Sequence, residues 1–161
     1  MKKNIPFLLL FFICSVLPPI NAQSNIKNKT NLLEGIWLFK GQKTSDKPEM
    51  GFVPMNTGVL KIISSDGKFT NFTPNPYKII IGTDGIGHIE SDSIYIESVK
   101  HSVIPSLIGK DNRLIYKLRD NFLYLKFFLE KNALNQDVNI WIEEVWEKAQ
   151  MPHQYFSETI K

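Results

Sequence analysis

The sequence predicts an all-β protein, an antiparallel up-and-down barrel of about eight strands. Three observations predict it: β-forming segments follow one another at short intervals, tight turns join most of them, and no amphipathic helix of ordinary length interrupts them. Regularly spaced short strands are typical of a sandwich or a barrel. Sequential hairpins favour the barrel, because closing the sheet removes its exposed edges.

The chain begins with a segment that is typical of a secretory signal. Lys2 and Lys3 precede the apolar run IPFLLLFFICSVL, which is shorter than the about 20 apolar residues of a membrane-spanning helix. We therefore predict a signal peptide over residues 1–22 and a periplasmic or secreted protein. The single cysteine, Cys14, lies inside this segment. Anchoring as a lipoprotein through Cys14 is disfavoured, because Ile13 stands where a small residue is wanted.

The rest of the chain predicts one domain that contains no cysteine and is nearly neutral. Without Lys2 and Lys3 the formal charge falls from +3 to +1, so neither nucleic acid nor an anionic membrane is an expected partner. Residues 23–31 are polar and predict a disordered leader. Residues 32–149 are predicted to form the barrel, and residues 150–161 a C-terminal tail.

The first predicted strand is GIWLFKG, and a long loop follows it. The loop covers residues 42–56 and contains Pro48, Gly51 and Pro54. Loops of this length between strands are often functional. We interpret it as a lid or a mobile flap that gates the barrel.

The next hairpin is predicted at Asp66-Gly67, because a two-residue type I′ turn needs positive φ at both positions. In that register Ser65 pairs with Lys68. Four residues then share one face, which we predict to be the inner one: Leu60, Ile62, Phe69 and Asn71.

Three glycines and a second short turn follow. Gly82, Gly85 and Gly87 lack the βα context of a dinucleotide site, so they are interpreted as marking a bulge or a bend. A turn over Ser91-Asp92 would place one set of isoleucines on a common face: Ile89, Ile94 and Ile96.

The clearest hairpin is NRLIYKLRDNFLYLKFFLEK, with its turn at Asp120-Asn121. Its period-two alternation predicts a leucine-rich inner face that includes Tyr116, Leu125 and Phe127. A last strand is predicted in NIWIEEVWEKA, where a helix is the alternative because EEVWEKA contains helix formers.

Gly35-Ile36-Trp37 matches the Gly-x-Trp that marks the first strand of lipocalins and the wider calycin group. More narrowly, the chain resembles an uncharacterised secreted lipocalin-like domain family of anaerobic gut bacteria. The similar segments span nearly all of the chain after the signal: LEGIW, SSDGKFTNF, YIESV, LIGKDNRLIYKL, FLYLKFFLEKN and WIEEVWEK.

The resemblance implies structural roles for Gly35 and Trp37. In lipocalins the tryptophan closes one end of the barrel under a basic residue, and here Lys148 or Arg113 is the candidate. Binding of a small molecule is implied by analogy of fold alone.

No cofactor, metal site or catalytic group is predicted. His88, His101 and His153 lack metal-ligand spacing, and no Gly-x-Ser-x-Gly occurs. Glu143 and Glu144 are adjacent, so on a strand they face opposite ways and cannot act as a carboxylate pair.

Three functions remain open. The first is a binding protein for a small apolar or amphipathic ligand, held by the predicted inward residues Leu60, Ile62, Phe69, Asn71, Tyr116, Leu125 and Phe127. The second is an interaction or inhibitor-type module with a filled core, acting through loops and an outer face around Tyr124 and Phe128. The third is an isomerase or a lyase in the barrel mouth, which needs titratable residues that converge in a pocket.

Overall fold

The computed structural model describes residues 32–150. The predicted signal peptide, the leader and the tail after residue 150 lie outside these residues. Residues 32–150 form nine strands: β1 Gly35–Thr44, β2 Val53–Pro54, β3 Leu60–Ile63, β4 Lys68–Pro74, β5 Ile79–Ile89, β6 Ile94–Ser102, β7 Asp111–Arg119, β8 Phe122–Lys131 and β9 Asp137–Lys148. Two short 3₁₀ turns, Pro48–Met50 and Pro105–Leu107, lie in the connections.

Eight of the strands form a closed antiparallel barrel. From β3 to β9 each strand pairs with the next, and β1 pairs with both β3 and β9, which closes the sheet. The remaining strand, β2, has only two residues, which pair with Gly41 and Gln42 of β1. The predicted fold class is therefore confirmed, and the last segment is a strand rather than a helix.

The β7–β8 hairpin has the predicted register. Arg119 pairs with Phe122 across the two turn residues, and Asp120 has a φ of 53°. Tyr116 and Leu125 are buried on the inner face, as the alternation predicted. Phe127 is buried with them.

The β3–β4 hairpin is shifted by one residue from the predicted register. Ile63, not Ser64, pairs with Phe69, so the loop has three residues and ends at Gly67, whose φ is 83°. Three-residue loops that end in a left-handed residue are the common alternative to a two-residue turn. The Ser64 hydroxyl supports the longer loop, since it lies 2.5 Å from Asp66 Oδ1 and 3.0 Å from the Lys68 carbonyl oxygen.

A shift of one residue reverses the two faces of a strand. Lys61 and Ile63 are buried inside the barrel, whereas Leu60 and Ile62 lie on the opposite face, with Ile62 37% exposed. The prediction that Leu60 and Ile62 face the interior is wrong.

The β5–β6 hairpin shows the same shift. Ile89 pairs with Tyr95 rather than with Ile94, so Tyr95 and Glu97 turn inward and Ile96 lies on the opposite face of the sheet, where it is also buried. The predicted shared face of Ile89, Ile94 and Ile96 is therefore wrong. The predicted bulge is confirmed, since Gly82 is the extra residue where Asn71 pairs with Thr83 and Phe72 with Ile81.

The loop after β1 is shorter than predicted and is tied to the barrel wall. β1 continues to Thr44, and Ser45 and Trp141 exchange two hydrogen bonds, from Ser45 N to the Trp141 carbonyl (3.0 Å) and from Trp141 N to Ser45 Oγ (2.9 Å). Met55 N donates to the Lys40 carbonyl. Met55 of this loop packs against the core, as do Ile104 and Leu107 of the β6–β7 connection.

Candidate functional site

A buried ion pair crosses the barrel interior. Lys61 Nζ of β3 lies 2.5 Å from Glu97 Oε1 of β6, and only 2% and 4% of their side-chain surfaces are exposed. Both residues point inward because of the one-residue shifts in the two hairpins. Removing two charges from water is unfavourable, and their attraction offsets this only in part.

Aromatic rings and a second carboxylate surround the Lys61 ammonium. Its Nζ lies 5.4 Å from the centroid of Phe69 and 5.5 Å from that of Trp146. Trp146 Nε1 donates a hydrogen bond of 2.9 Å to Glu144 Oε2. Burial raises the pKa of the Glu144 carboxyl, the Lys61 charge acts against this, and the Glu97 charge adds to it. Burial therefore disfavours the ionised form of Glu144, and the Lys61 charge and the Trp146 hydrogen bond oppose this effect.

Two buried polar atoms near the pair have no hydrogen-bond partner within residues 32–150: Asn71 Oδ1 and the Tyr95 hydroxyl oxygen. The Tyr95 hydroxyl occupies the space beside Gly87, where a Cβ atom would lie 1.9 Å from it. Burial and the Glu97 charge raise the Tyr95 pKa, so the hydroxyl stays protonated. A buried polar atom without a partner destabilises the fold by about 1–3 kcal/mol, so each one requires an explanation.

Asn71 borders a cavity of about 110 Å³ in the barrel interior. Five other polar residues line it: Lys61, Thr83, Glu97, Asn112 and Glu144. The remaining wall is apolar: Val99, Ile104, Leu107, Leu114 and Phe127. The combination can hold a small group that is polar on one side and apolar on the other. No three His, Cys, Asp or Glu side chains among residues 32–150 are grouped to hold a metal ion.

Two of the seven predicted site residues, Asn71 and Phe127, line this cavity. Phe69, Tyr116 and Leu125 are buried in the core around it. Leu60 and Ile62 lie outside, as described above.

The prediction missed Lys61, Glu97, Glu144 and Tyr95. A signal was available for the first of them. The alternate positions Val59, Lys61 and Ile63 share one face of this segment. That face is apolar except for the single lysine.

The end of the barrel near Trp37 has a different construction. Trp37 is 1% exposed, and its Nε1 donates to the Leu33 carbonyl oxygen at 2.9 Å. Lys148 Nζ lies 5.3 Å from the ring centroid, so Lys148 takes the position that the resemblance gave to a basic residue. Arg113 instead pairs with Glu90.

Gly35 allows this arrangement. Its φ is +141°, a backbone conformation that residues with a side chain rarely adopt. A Cβ atom at this position would lie 2.8 Å from Lys148 Cε. Any other residue here would displace the lysine that covers Trp37.

The outer face of β7, β8 and β9 carries exposed aromatic residues, as the second hypothesis requires. Tyr124 borders an apolar trough of about 680 Å³ that Phe52, Phe122 and Val145 also line. Phe128 lies in a separate groove with Trp141.

An ionic row, in which Glu143 pairs with Lys126 (2.9 Å) and Lys43 (3.0 Å), runs along this face beside the trough. Tyr124 and Phe128, which were predicted to form one exposed patch, therefore belong to two different surfaces: the trough and the groove with Trp141.

A closed eight-stranded antiparallel barrel with a sealed tryptophan end is consistent with a lipocalin-like fold and compatible with the binding of a small ligand. The chain belongs to the DUF4488 family, described as a domain of unknown function, which matches residues 32–157. No curated protein matches the sequence. Among residues 32–150 no helix has the length and apolarity needed to cross a membrane. The narrower resemblance to a family of gut bacteria stays a prediction.

Proposed function

We propose that this protein is an exported binding protein whose barrel takes the polar end of a small amphipathic molecule. The observation that carries the proposal is the cavity beside Asn71, where a buried amide oxygen lacks a donor next to a buried ion pair. A ligand that donates to Asn71 Oδ1 would remove this deficit.

The charges around the cavity indicate which polar group it takes. Lys61 and Glu97 neutralise each other, and the raised pKa of Glu144 favours its neutral form. An ion brought into this interior would lose its water and find no free counter-charge. We therefore infer a neutral donor such as a hydroxyl or a primary amide. The balanced pair offers hydrogen bonds rather than a free base, which favours binding over catalysis.

The volume of the cavity limits what can enter as it stands. An apolar cavity of roughly 150 Å³ accepts benzene, which has six heavy atoms, so about 110 Å³ accommodates roughly four heavy atoms. The rest of a larger ligand would leave the barrel beside Leu107 and Asn112, because both residues line this cavity and also the outer groove that contains Trp141. The β6–β7 connection, rather than residues 42–56, is the segment that would open.

A ligand-observed NMR titration tests the proposal. The probes are alcohols and primary amides of roughly four heavy atoms, each matched with an ether or a ketone of the same number of heavy atoms that cannot donate. We expect the donors to bind and their matched partners to bind at least about tenfold more weakly. Asn71→Leu removes the acceptor and should abolish this preference.

Ile62→Ala is the matched control, because Ile62 lies on the outside of the neighbouring strand. Equal binding of donors and non-donors, or a preference that survives in Asn71→Leu, would exclude the interior site.

Export has its own test. Expression of the full chain in a bacterial host, followed by N-terminal sequencing of the periplasmic protein, should give a first residue of Gln23. A protein that stays in the cytoplasm and begins at Met1 would contradict the predicted signal peptide over residues 1–22.

The outer trough supports a second candidate function, an interaction module. It is much larger than the interior cavity, and its floor is mainly apolar: Phe52, Ile115, Phe122, Tyr124 and Val145. In this case a partner protein captured from the native secretome should be lost with Tyr124→Ser and retained with Asn71→Leu. The reverse pattern favours the interior site.

A further inference from the structure

Trp141 differs from the other two tryptophans in its exposure. Trp37 and Trp146 are 1% and 2% exposed, whereas Trp141 is 44% exposed on the outer face of β9. Phe128, its cross-strand neighbour on β8, lies edge-on to it with 5.5 Å between the ring centroids. Two large exposed rings on a barrel wall are unfavourable in water unless something covers them.

The groove beside these rings has polar walls. It has a volume of about 280 Å³ and contains two cations, Lys110 and Arg113, and two carboxylates, Asp111 and Glu130, so its formal charge is zero. Asn112 borders the groove where it adjoins the interior cavity.

The charged side chains keep part of their hydrogen-bonding capacity. Asp111 uses one oxygen to accept from Ser98 Oγ at 2.6 Å. Lys110 Nζ lies 3.7 Å from Glu130, longer than a hydrogen bond. Carboxylate and guanidinium groups each offer two or more hydrogen-bonding positions in a plane. A ligand with several adjacent hydroxyl groups would use them.

Trp141 is held firmly in place. Its backbone exchanges two hydrogen bonds with Ser45, and Lys126 Nζ lies 5.5 Å from the centroid of its ring. An ordered ring loses little entropy when a ligand packs on it.

We propose that this groove is a carbohydrate-binding site, in which a neutral sugar ring packs on Trp141 and its hydroxyls bond to Asp111 and Lys110. The C–H groups of a sugar ring carry partial positive charge and are attracted to the negative face of an aromatic ring. The uncharged hydroxyls match a groove with balanced charges. A purely apolar occupant would leave the polar wall without partners. An anion would meet as many carboxylates as cations.

Tryptophan fluorescence of the full folded chain provides the test, because Trp141 alone among the three described tryptophans is exposed. The probes are glucose, galactose and N-acetylglucosamine, then soluble glucans built from the same units. We expect a saturable change in emission with at least one of them. If the free sugars bind, the natural ligand is a small dissolved sugar. If the glucans bind and the free sugars do not, the natural ligand is a surface polysaccharide.

Variants separate stacking from other causes. In calorimetry, Trp141→Ala should weaken binding at least about tenfold, and Trp141→Phe should keep most of it while the fluorescence change disappears. Tyr124→Ser removes an exposed aromatic residue outside the groove and should leave the affinity unchanged. So should Asn71→Leu, which affects the interior cavity only.

The absence of saturable binding to any probe would overturn the proposal. So would an affinity that is the same in Trp141→Ala as in the parent protein. Neither result bears on the proposed interior site, because the NMR titration with Asn71→Leu tests that site separately.

Discussion

Two parts of the barrel interior, the tryptophan end and the polar cluster, are built on opposite principles. At the tryptophan end the one polar atom of Trp37 has a partner, and the covering charge, Lys148, comes from the end of the last strand. In the polar cluster two charges are fully buried and Asn71 Oδ1 has no partner. The first arrangement stabilises the fold. The second opposes folding, which supports the proposed binding role.

One of the two largest expected losses is at the tryptophan end. Trp37→Ala removes a fully buried ring and leaves the Leu33 carbonyl without its donor, so unfolding in urea should show a loss of about 3–5 kcal/mol. Trp141→Ala, at the exposed tryptophan, is the control and should lose much less. Equal losses would mean that Trp37 does not close the barrel.

In the polar cluster, Glu97→Ala should cost about 3–5 kcal/mol of unfolding free energy, because it removes the carboxylate that pairs with the buried Lys61 ammonium. Glu90→Ala breaks an exposed pair with Arg113 and should change stability by less than about 1 kcal/mol. A small effect of Glu97→Ala would show that Lys61 can reach water.

Gly35→Ala sharpens the account of the tryptophan end. The methyl group meets Lys148 and imposes a strained backbone, so we expect a loss of about 1–3 kcal/mol in the same urea experiment. Gly58→Ala is the matched control: Gly58 also has positive φ, at +68°, but its Cβ would meet nothing within 4 Å. If both variants lose the same amount, the contact with Lys148 contributes nothing.

The smallest effect is a pH dependence that distinguishes two adjacent carboxylates. Burial raises the Glu144 pKa above its ordinary value of 4.5, so its contribution to stability is complete below pH 4.5 and is lost as pH rises through the folded-state pKa. Glu144→Gln should flatten this fall by up to about 1.4 kcal/mol per pH unit.

Glu143 is the control with the opposite sign. The hydrogen bond from Lys126 lowers its pKa, so its contribution is present at neutral pH and is lost as pH falls. Stability curves of the two glutamine variants measured from pH 3 to 8 should therefore diverge in opposite directions from the parent. Curves that move together would contradict the inward orientation of Glu144.

The barrel was predictable because its signals are local. Alternation and the Asp120-Asn121 turn fix the β7–β8 register, and the Gly-x-Trp places Trp37. The polar cluster was not predictable from the same reasoning. Asp66-Gly67 fits both a two-residue and a three-residue loop, and hydrogen bonds of Ser64 support the longer one. One extra residue there turned Lys61 inward.

The same error at residues 91–93 hid Glu97. Lys61 lies on β3 and Glu97 on β6, which are three strands apart in the sheet. The ion pair can therefore be predicted only when the registers of both hairpins are known. Their contact depends on tertiary structure, and no local sequence pattern encodes it.

The most direct test of the central claim, that the polar cluster serves binding rather than folding, is the unfolding free energy of the double variant Lys61→Met/Glu97→Leu. Replacing a buried ion pair with apolar residues of similar volume is often neutral or stabilising by about 1–4 kcal/mol. We predict a double variant that is at least as stable in urea as the parent, although Glu97→Ala alone is destabilised. A double variant that loses as much as Glu97→Ala would show that the pair holds the barrel together, and would contradict the account.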